Sequence, residues 1–194
     1  MASPEKAYDV TAILAHTATQ APTLGAARLI CVDGPAGSGK STLARSLQAR
    51  SPGAVLLETD EMLEGWGGLS GLAVSLLRVV APIAHGVPGR WRRWDWHADG
   101  WAEWHHVPDT NLLLVEGVGS GTPLLDPWRT TLVWVEAPSS TRLDRGIERD
   151  GESMRSHWLR WRPEEDALHA RERTRLRADF QVDGETGEVH RTLG

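Results

Sequence analysis

Residues Gly34 to Ser41 read G-P-A-G-S-G-K-S. They stand between an apolar run, Arg28 to Asp33 (R-L-I-C-V-D), and a stretch of helix-forming composition, Ser41 to Arg50, that stops at Ser51, Pro52 and Gly53. The spacing matches G-x-x-x-x-G-K-[ST] in full, at a place where a strand hands over to a helix. Gly34, Gly37 and Gly39 carry no Cβ, so backbone N–H groups of the turn can curl inward around an anion. The start of the following helix aims the positive end of its dipole at the same point. Lys40 adds a cation there and Ser41 a hydroxyl.

Such a turn is a phosphate-binding loop, or P-loop. The positions expected to touch a bound nucleotide are Gly34, Pro35, Ala36, Gly37, Ser38, Gly39, Lys40, Ser41 and Thr42. Lys40 is expected to bridge the β- and γ-phosphates as a catalytic cation, and Ser41 to offer its hydroxyl to Mg²⁺. ATP with Mg²⁺ is the expected cofactor, and GTP is the alternative. A GTPase switch also needs D-x-x-G and N-K-x-D, and the sequence contains neither.

Further buried strands are predicted at Ala54 to Glu58, Asn111 to Val115 and Thr131 to Val135, with a last one at Asp179 to Asp183. Continuous apolar runs separated by helical segments imply a mainly parallel sheet covered on both faces, an α/β fold of three layers. Helices are expected from Ala7 to Thr19, Leu69 to Ala84, Pro138 to Asp150 and Glu164 to Ala178, and the tail from Gly184 to Gly194 forms a hairpin or frays. With 194 residues, 40% of them hydrophobic and 24% charged, the chain is expected to make a single domain, 1–194. The net charge of -5 argues against a general basic surface for nucleic acid. Leu69 to Ala84 is interrupted by Arg78 and falls short of the roughly 20 residues that span a bilayer, so no membrane partner is expected. The lone Cys31 forms no intramolecular disulfide, and Met1 to Tyr8 lacks the basic-then-apolar order of a signal peptide. A cytoplasmic protein is expected, with self-association into a homo-oligomer left open.

Asp60 stands just past the second strand, in L-E-T-D-E, at the carboxyl edge of the sheet where open α/β folds bind ligands. A carboxylate there can take a proton from an attacking hydroxyl and join a metal shell; the plainer alternative is a helix N-cap. Glu116 ends N-L-L-L-V-E-G and is placed for Mg²⁺, directly or through water, with a solvated strand-end carboxylate as the alternative. Arg142, Arg145 and Arg149 share one helix face after the fourth strand. They suit an arginine-rich lid, about 142–160, with Arg142 toward the cofactor and Arg145 as the catalytic cation; a charged face paired with Asp144 and Glu148 is the alternative.

Residues 62–109 are too many for one crossover helix and imply an inserted substrate-binding lobe. Ten Trp occur in the chain against one Tyr and one Phe, and six of them, Trp66, Trp91, Trp94, Trp96, Trp101 and Trp104, crowd into this region. Arg90 to Trp96 and Trp101 to Val107 can pair as a hairpin. Strict alternation sets Arg92, Trp94 and Trp96 on one face and Trp91, Arg93 and Asp95 on the other. A bulge near Trp94 is required if Trp94, Asp95 and Trp96 are to serve one pocket. The remaining Trp residues, including Trp66, Trp158 and Trp161, are expected to pack.

The order of P-loop, second-strand Asp60, Trp94-Asp95-Trp96 arm, E-G at Glu116, arginine-rich lid and late A-D-F-Q-V-D resembles the uridine kinase-like branch of P-loop small-molecule kinases, in a variant similar to actinobacterial proteins, over about Arg28 to Asp183. The resemblance implies a P-loop NTPase fold and transfer of the γ-phosphate to a hydroxyl of a small, nucleoside-like acceptor. It implies Asp60 as base and Glu116 with Ser41 at Mg²⁺. It makes Trp94 and Trp96 walls of the acceptor site, Asp95 a hydroxyl-binding or arm-orienting carboxylate, and Arg93 a further polar contact. Uridine kinases carry a base-reading His three residues after the aromatic segment, where this chain has Asp99.

Two other readings stand beside this one. D-G-P-A-G-S-G-K-S also resembles the P-loop of cytidylate kinase, a nucleoside monophosphate kinase, but that family continues with T-G-A-M-Y-R where this chain has T-D-E-M-L-E. Cations interleaved with Trp in Arg90 to Trp96 could stack single-stranded bases, though the patch is short and the net charge opposes it.

Overall fold

The computed structural model describes residues 8–192. Ala7, where the first helix was expected to begin, lies outside them, as do Leu193 and Gly194 of the tail. Helix α1 (Thr11–Thr19) buries Ile13 and Thr17, and the Thr17 hydroxyl shares a hydrogen bond with that of Thr131 at 2.8 Å.

The main sheet is built from β1 (Arg28–Asp33), β2 (Val55–Glu58), β5 (Leu112–Glu116), β6 (Thr131–Glu136), β7 (Phe180–Asp183) and β8 (Val189–Arg191), after the arm strands β3 (Arg90–Asp95) and β4 (Gly100–His106) are set apart. Its order is β2-β5-β1-β6-β7-β8, parallel except for β8, which turns back antiparallel on β7. Alternate residues of the strands feed two separate cores. Leu29, Cys31, Leu113, Val115 and Leu132 point one way, toward Leu72, Leu76, Val79 and Val80 of α3 (Leu69–Ile83). Ile30, Val32, Leu114, Val133 and Val135 point the other way, toward α1 and toward Leu43, Ala44 and Leu47 of α2 (Lys40–Ala49). Both faces being covered explains why the strands read as unbroken apolar runs. Each fully buried Leu or Val contributes about 1.5–3 kcal/mol.

Strand β1 sits at the centre, between β5 and β6, so the turn that follows it opens at the middle of the carboxyl edge. Gly34 adopts φ 143, and a Cβ there would collide with the carbonyl of Val135 on β6. Only glycine lets the chain leave β1 so close to its neighbour.

The long insertion divides in two. Helix α3 belongs to the main core, whereas β3 and β4 form a separate two-stranded arm. The pairing slips between Arg92 and Trp94, as the sequence required. It also corrects the strict alternation, because Trp91 and Trp94 are both buried while Arg92 and Trp96 are exposed.

After α4 (Ser139–Asp150) comes α5 (Arg155–Glu172), which begins nine residues before the expected Glu164 and runs through Pro163. A proline inside a helix costs about 3 kcal/mol. Trp158 and Trp161, both buried on this added length, supply the offsetting contacts, Trp158 lying on Gly146 of α4 where a side chain would collide with its ring. Arg173, at φ 52, separates α5 from the short α6 (Thr174–Arg177). No helix among the described residues is long and apolar enough to cross a membrane.

Candidate functional site

Three strand ends meet at the carboxyl edge: Asp33 leads into the P-loop, Glu116 ends β5, and Glu58 ends β2 opposite Glu116 in the register. Lys40 is buried, and its ammonium donates to the carbonyl of Pro35 at 3.0 Å across the loop. The Ser41 hydroxyl donates to Glu116 Oε1 at 2.9 Å. Glu116 Oε2 is buried with no hydrogen-bond partner among the described residues, as is the hydroxyl of Thr59. Gly117, at φ 131, lies directly against Thr59; a Cβ there would strike Thr59 Oγ1.

Burial pushes the Glu116 carboxyl up to about 7, with the charges of Asp60 and Glu58 acting the same way and Lys40 and the Ser41 hydrogen bond opposing. A carboxylate oxygen buried without a donor, beside a hydroxyl and two further acids, suits a hard divalent cation. Among the described residues no group of three or more His, Cys, Asp or Glu converges to hold a metal alone. Mg²⁺ does not need one, since it keeps several waters and takes phosphate oxygens from its nucleotide. Ser41, Glu116 and Asp60 therefore fit the metal that the P-loop implies.

Asp60 lies in a 3-10 turn, Thr59–Met62, directly after β2. Its backbone carbonyl accepts the indole N–H of Trp96 at 3.0 Å, so the arm's tip reaches this turn. Trp96 meets Trp66 edge to face at 5.7 Å, and Trp66 in turn contacts His157 at 5.3 Å and Trp161 at 5.8 Å. Trp66 and Trp161, expected to pack, do pack, and their contacts join Trp96 to helix α5. Burial raises the carboxyl of the adjacent Glu61, Glu58 adds to this, and His105 and Arg93 of the arm oppose.

Within the arm the polar residues bind one another. Asp95 Oδ1 accepts the N–H groups of His97 and Ala98 at 3.0 and 2.9 Å, closing the hairpin turn, and its other oxygen takes Arg93 at 3.2 Å. These donors hold the Asp95 carboxyl below its ordinary range. Arg93 also grips Glu103 at 2.7 Å. Asp95 thus orients the arm. Trp94 is buried edge to face with Trp101 at 5.1 Å, and its indole N–H has no partner among the described residues.

The three arginines of α4 separate. Arg142 binds Glu165 at 2.8 Å. Arg145 donates to the carbonyls of Gly37 and Gly184 at 3.2 and 3.1 Å, bracing the loop from behind. Arg149 pairs with Asp150 at 2.7 Å. Its hydrogen bonds to the Asp150 carboxylate raise its guanidinium above the ordinary range, and the charges of Asp60 and Glu116 act in the same direction. Asp150 is itself fixed by the indole N–H of Trp158 at 2.9 Å. Sequence spacing grouped these arginines but favoured Arg142 and Arg145.

Asp33 was missed altogether. Fully buried, it accepts Gly34 N–H at 2.6 Å, Gly119 and Gly121 N–H at 2.9 Å each, and lies 3.1 Å from His169 Nε2. Burial would raise its carboxyl, but the His169 and backbone donors outweigh this and hold it low. It ties the P-loop to the loop after Glu116. The only sequence signal was its place at the strand's end.

The structure of a possible uridine kinase from Bacillus stearothermophilus superposes on this chain with a TM-score of 0.61, covering 90% of this chain and 98% of that one at 19% sequence identity. This is the P-loop NTPase fold. The YGR205w protein matches with a TM-score of 0.48 at 11% identity, over 95% of each chain. No protein-family model matches the chain, and no curated protein does. Within the P-loop NTPase fold, the sheet order places the loop, Asp60 and Glu116 along one edge, which the arm meets at Asp60 and α5 meets at Ala36.

Proposed function

We propose that the protein is a small-molecule kinase that moves the γ-phosphate of ATP onto a hydroxyl of a nucleoside-like acceptor. The observation that carries this reading is the seat of Asp60: its turn is tied to the aromatic arm through Trp96 while its charge bears on Glu116 beside Ser41 and Lys40. The turn that carries this carboxylate thereby joins the aromatic arm to the sheet edge that holds the phosphate loop.

Ser41 and Glu116, with Asp60 near, would hold Mg²⁺, which when bound would neutralise charge on the phosphates. Lys40 leaves the Pro35 carbonyl for the phosphate oxygens. Asp60 takes the hydroxyl proton while the acceptor oxygen bonds to the γ-phosphorus and the bond to ADP breaks. Arg149, fixed by Asp150, offsets the charge that develops on the transferring group. Trp96, Trp66 and Trp161 exclude water from the acceptor side.

The arm's cations are engaged at home, Arg93 with Glu103, Arg92 with the carbonyls of Ala102 and Trp101, and Arg90 over Trp104 at 5.2 Å. This favours a small acceptor over single-stranded nucleic acid, whose phosphates need free cations. With its one cysteine, Cys31, buried, the proposed setting is the cytoplasm. An ADP-release assay across nucleosides, nucleoside monophosphates, vitamins and sugars tests the reading. Release that depends on a hydroxylated, unphosphorylated acceptor supports it; release with monophosphates alone identifies the cytidylate-type alternative, and ATP turnover indifferent to every acceptor sinks both.

A further inference from the structure

Helix α5 carries Trp161, Glu165 and His169 one turn apart on a single face. That face lies against the P-loop. Glu165 is completely buried, 0% exposed, and all its contacts are specific. Its Oε2 accepts the backbone N–H of Ala36 at 2.8 Å and the indole N–H of Trp161 at 3.0 Å. Its Oε1 takes Arg142 at 2.8 Å. One turn further on, His169 meets Asp33, which holds Gly34 at the other end of the same short stretch of loop.

A buried carboxylate beside a loop built to bind anions is costly on two counts, desolvation and repulsion of the incoming phosphates. Its retention needs a return. Arg142 supplies the neutralising charge, and the Nε–H of Arg142 is buried without a partner among the described residues, so this cation still has a donor to give. The helix face thus fixes one N–H of the loop and the direction of one guanidinium through the same two oxygens. Trp161 connects this point to Trp66 and so to Trp96 at the acceptor wall.

We propose that Glu165 is a positioning residue of the nucleotide site, setting the Ala36 stretch of the P-loop and holding Arg142 beside it so that phosphates meet a preformed loop. This rests on the nucleotide-binding part of the function proposed above. Glutamine at 165 keeps the size but offers one acceptor oxygen and turns an N–H₂ group toward donors, so the three contacts cannot all survive. Phenylalanine at 161 keeps the ring and removes only the indole N–H.

The test uses the full chain and Mg²⁺ with a non-hydrolysable ATP analogue, AMP-PNP, as the probe. Calorimetric titration gives the dissociation constant, hydrogen exchange follows the peptide containing Ala36, and circular dichroism gives the melting temperature. Glu165→Gln should weaken AMP-PNP binding about tenfold and speed exchange at Ala36 by a similar factor, well below its melting temperature. Trp161→Phe should do both to a smaller extent, about threefold. The double variant should be no weaker than Glu165→Gln, because both changes act through one carboxylate. A lowered melting temperature with unchanged affinity and exchange in the folded variants overturns the proposal and leaves a packing role. Should Glu165→Gln not fold, Trp161→Phe decides alone, and wild-type affinity and exchange in it overturn the proposal. Failure of the wild-type protein to bind AMP-PNP overturns the nucleotide reading as well, whereas normal wild-type binding with an indifferent Glu165→Gln overturns only the role of Glu165.

Discussion

The indole N–H of Trp96 donates to the backbone carbonyl of Asp60 at 3.0 Å, across 36 residues of chain. The tip of the arm is thereby fastened to the turn that carries the proposed base. An acceptor gripped by the arm is held at a set distance from that carboxylate, and such positioning is where much of a two-substrate enzyme's rate originates.

Replacing Trp96 by Phe keeps the ring contact with Trp66 and deletes the tie to Asp60. The KM for whichever acceptor supports ADP release should rise about tenfold, with the KM for ATP nearly unchanged. Steady-state kinetics with each substrate varied in turn provide the check. An unchanged acceptor KM would place the acceptor away from the arm.

Asp60→Asn retains the backbone carbonyl that Trp96 uses and removes the proton acceptor. A fall in kcat of at least about 10²-fold is expected, with AMP-PNP binding largely kept. Lys40→Ala should abolish transfer without unfolding the protein, since among the described residues the ammonium's hydrogen bond goes to the Pro35 carbonyl and not to the core. Turnover at the wild-type rate in Lys40→Ala contradicts the P-loop mechanism.

Arg145 and Arg149, four residues apart on α4, should fail differently. Arg145→Ala removes two hydrogen bonds to the carbonyls of Gly37 and Gly184, at a cost of about 2 kcal/mol and roughly 4–8 °C in melting temperature. Arg149→Ala should lower kcat about tenfold or more and leave the melting temperature nearly unchanged, because the side chain is exposed. Paired melting and kinetic measurements separate the two, and an exchange of these phenotypes refutes the assignment.

Glu116 makes stability depend on pH. Its carboxyl rises from 4.5 unfolded to about 7 in the fold, so the native state holds the proton more tightly. The stabilisation linked to that proton is complete below pH 4.5 and is lost as the pH climbs to about 7. Mg²⁺ takes the ionised form, so its binding should strengthen over the same rise and restore part of the loss. Melting temperatures across pH 4 to 8, with Mg²⁺ and with a chelator, should show this slope in the wild type. Glu116→Gln should flatten it; a variant curve that overlays the wild type removes Glu116 from the account.

Much of this molecule is legible in local stretches of chain. The P-loop announces itself because its phosphate-binding geometry is made by eight consecutive residues, Gly34 to Ser41, between one strand and one helix. Strands β5 and β6 were found within one residue because they are buried on both faces and so read as apolar runs, and β2, at the sheet's edge with only Leu57 fully buried, was found equally closely from its Val-Leu-Leu core. Asp60 and Glu116 followed from standing at the ends of those strands. A bulge near Trp94 was expected and the slip is there, but it sets Trp94 with the buried Trp91 and leaves Trp96 exposed.

What the sequence by itself determined, then, is the order of elements and the residues at their ends, since each depends on neighbours within a turn or a strand's length. The tertiary structure alone decided how far α5 extends, because the buried rings of Trp158 and Trp161 outweigh Pro163 only once α4 lies against them. It decided that Arg145 is spent on the carbonyls of Gly37 and Gly184 while Arg149 pairs with Asp150, which Trp158 fixes. It also brought Glu165 to Ala36 across 129 residues and His169 to Asp33 across 136. Contacts of that span leave no local periodicity, because a carboxylate on a charged helix reads as solvated until the packing of the whole sheet shows which face it turns inward.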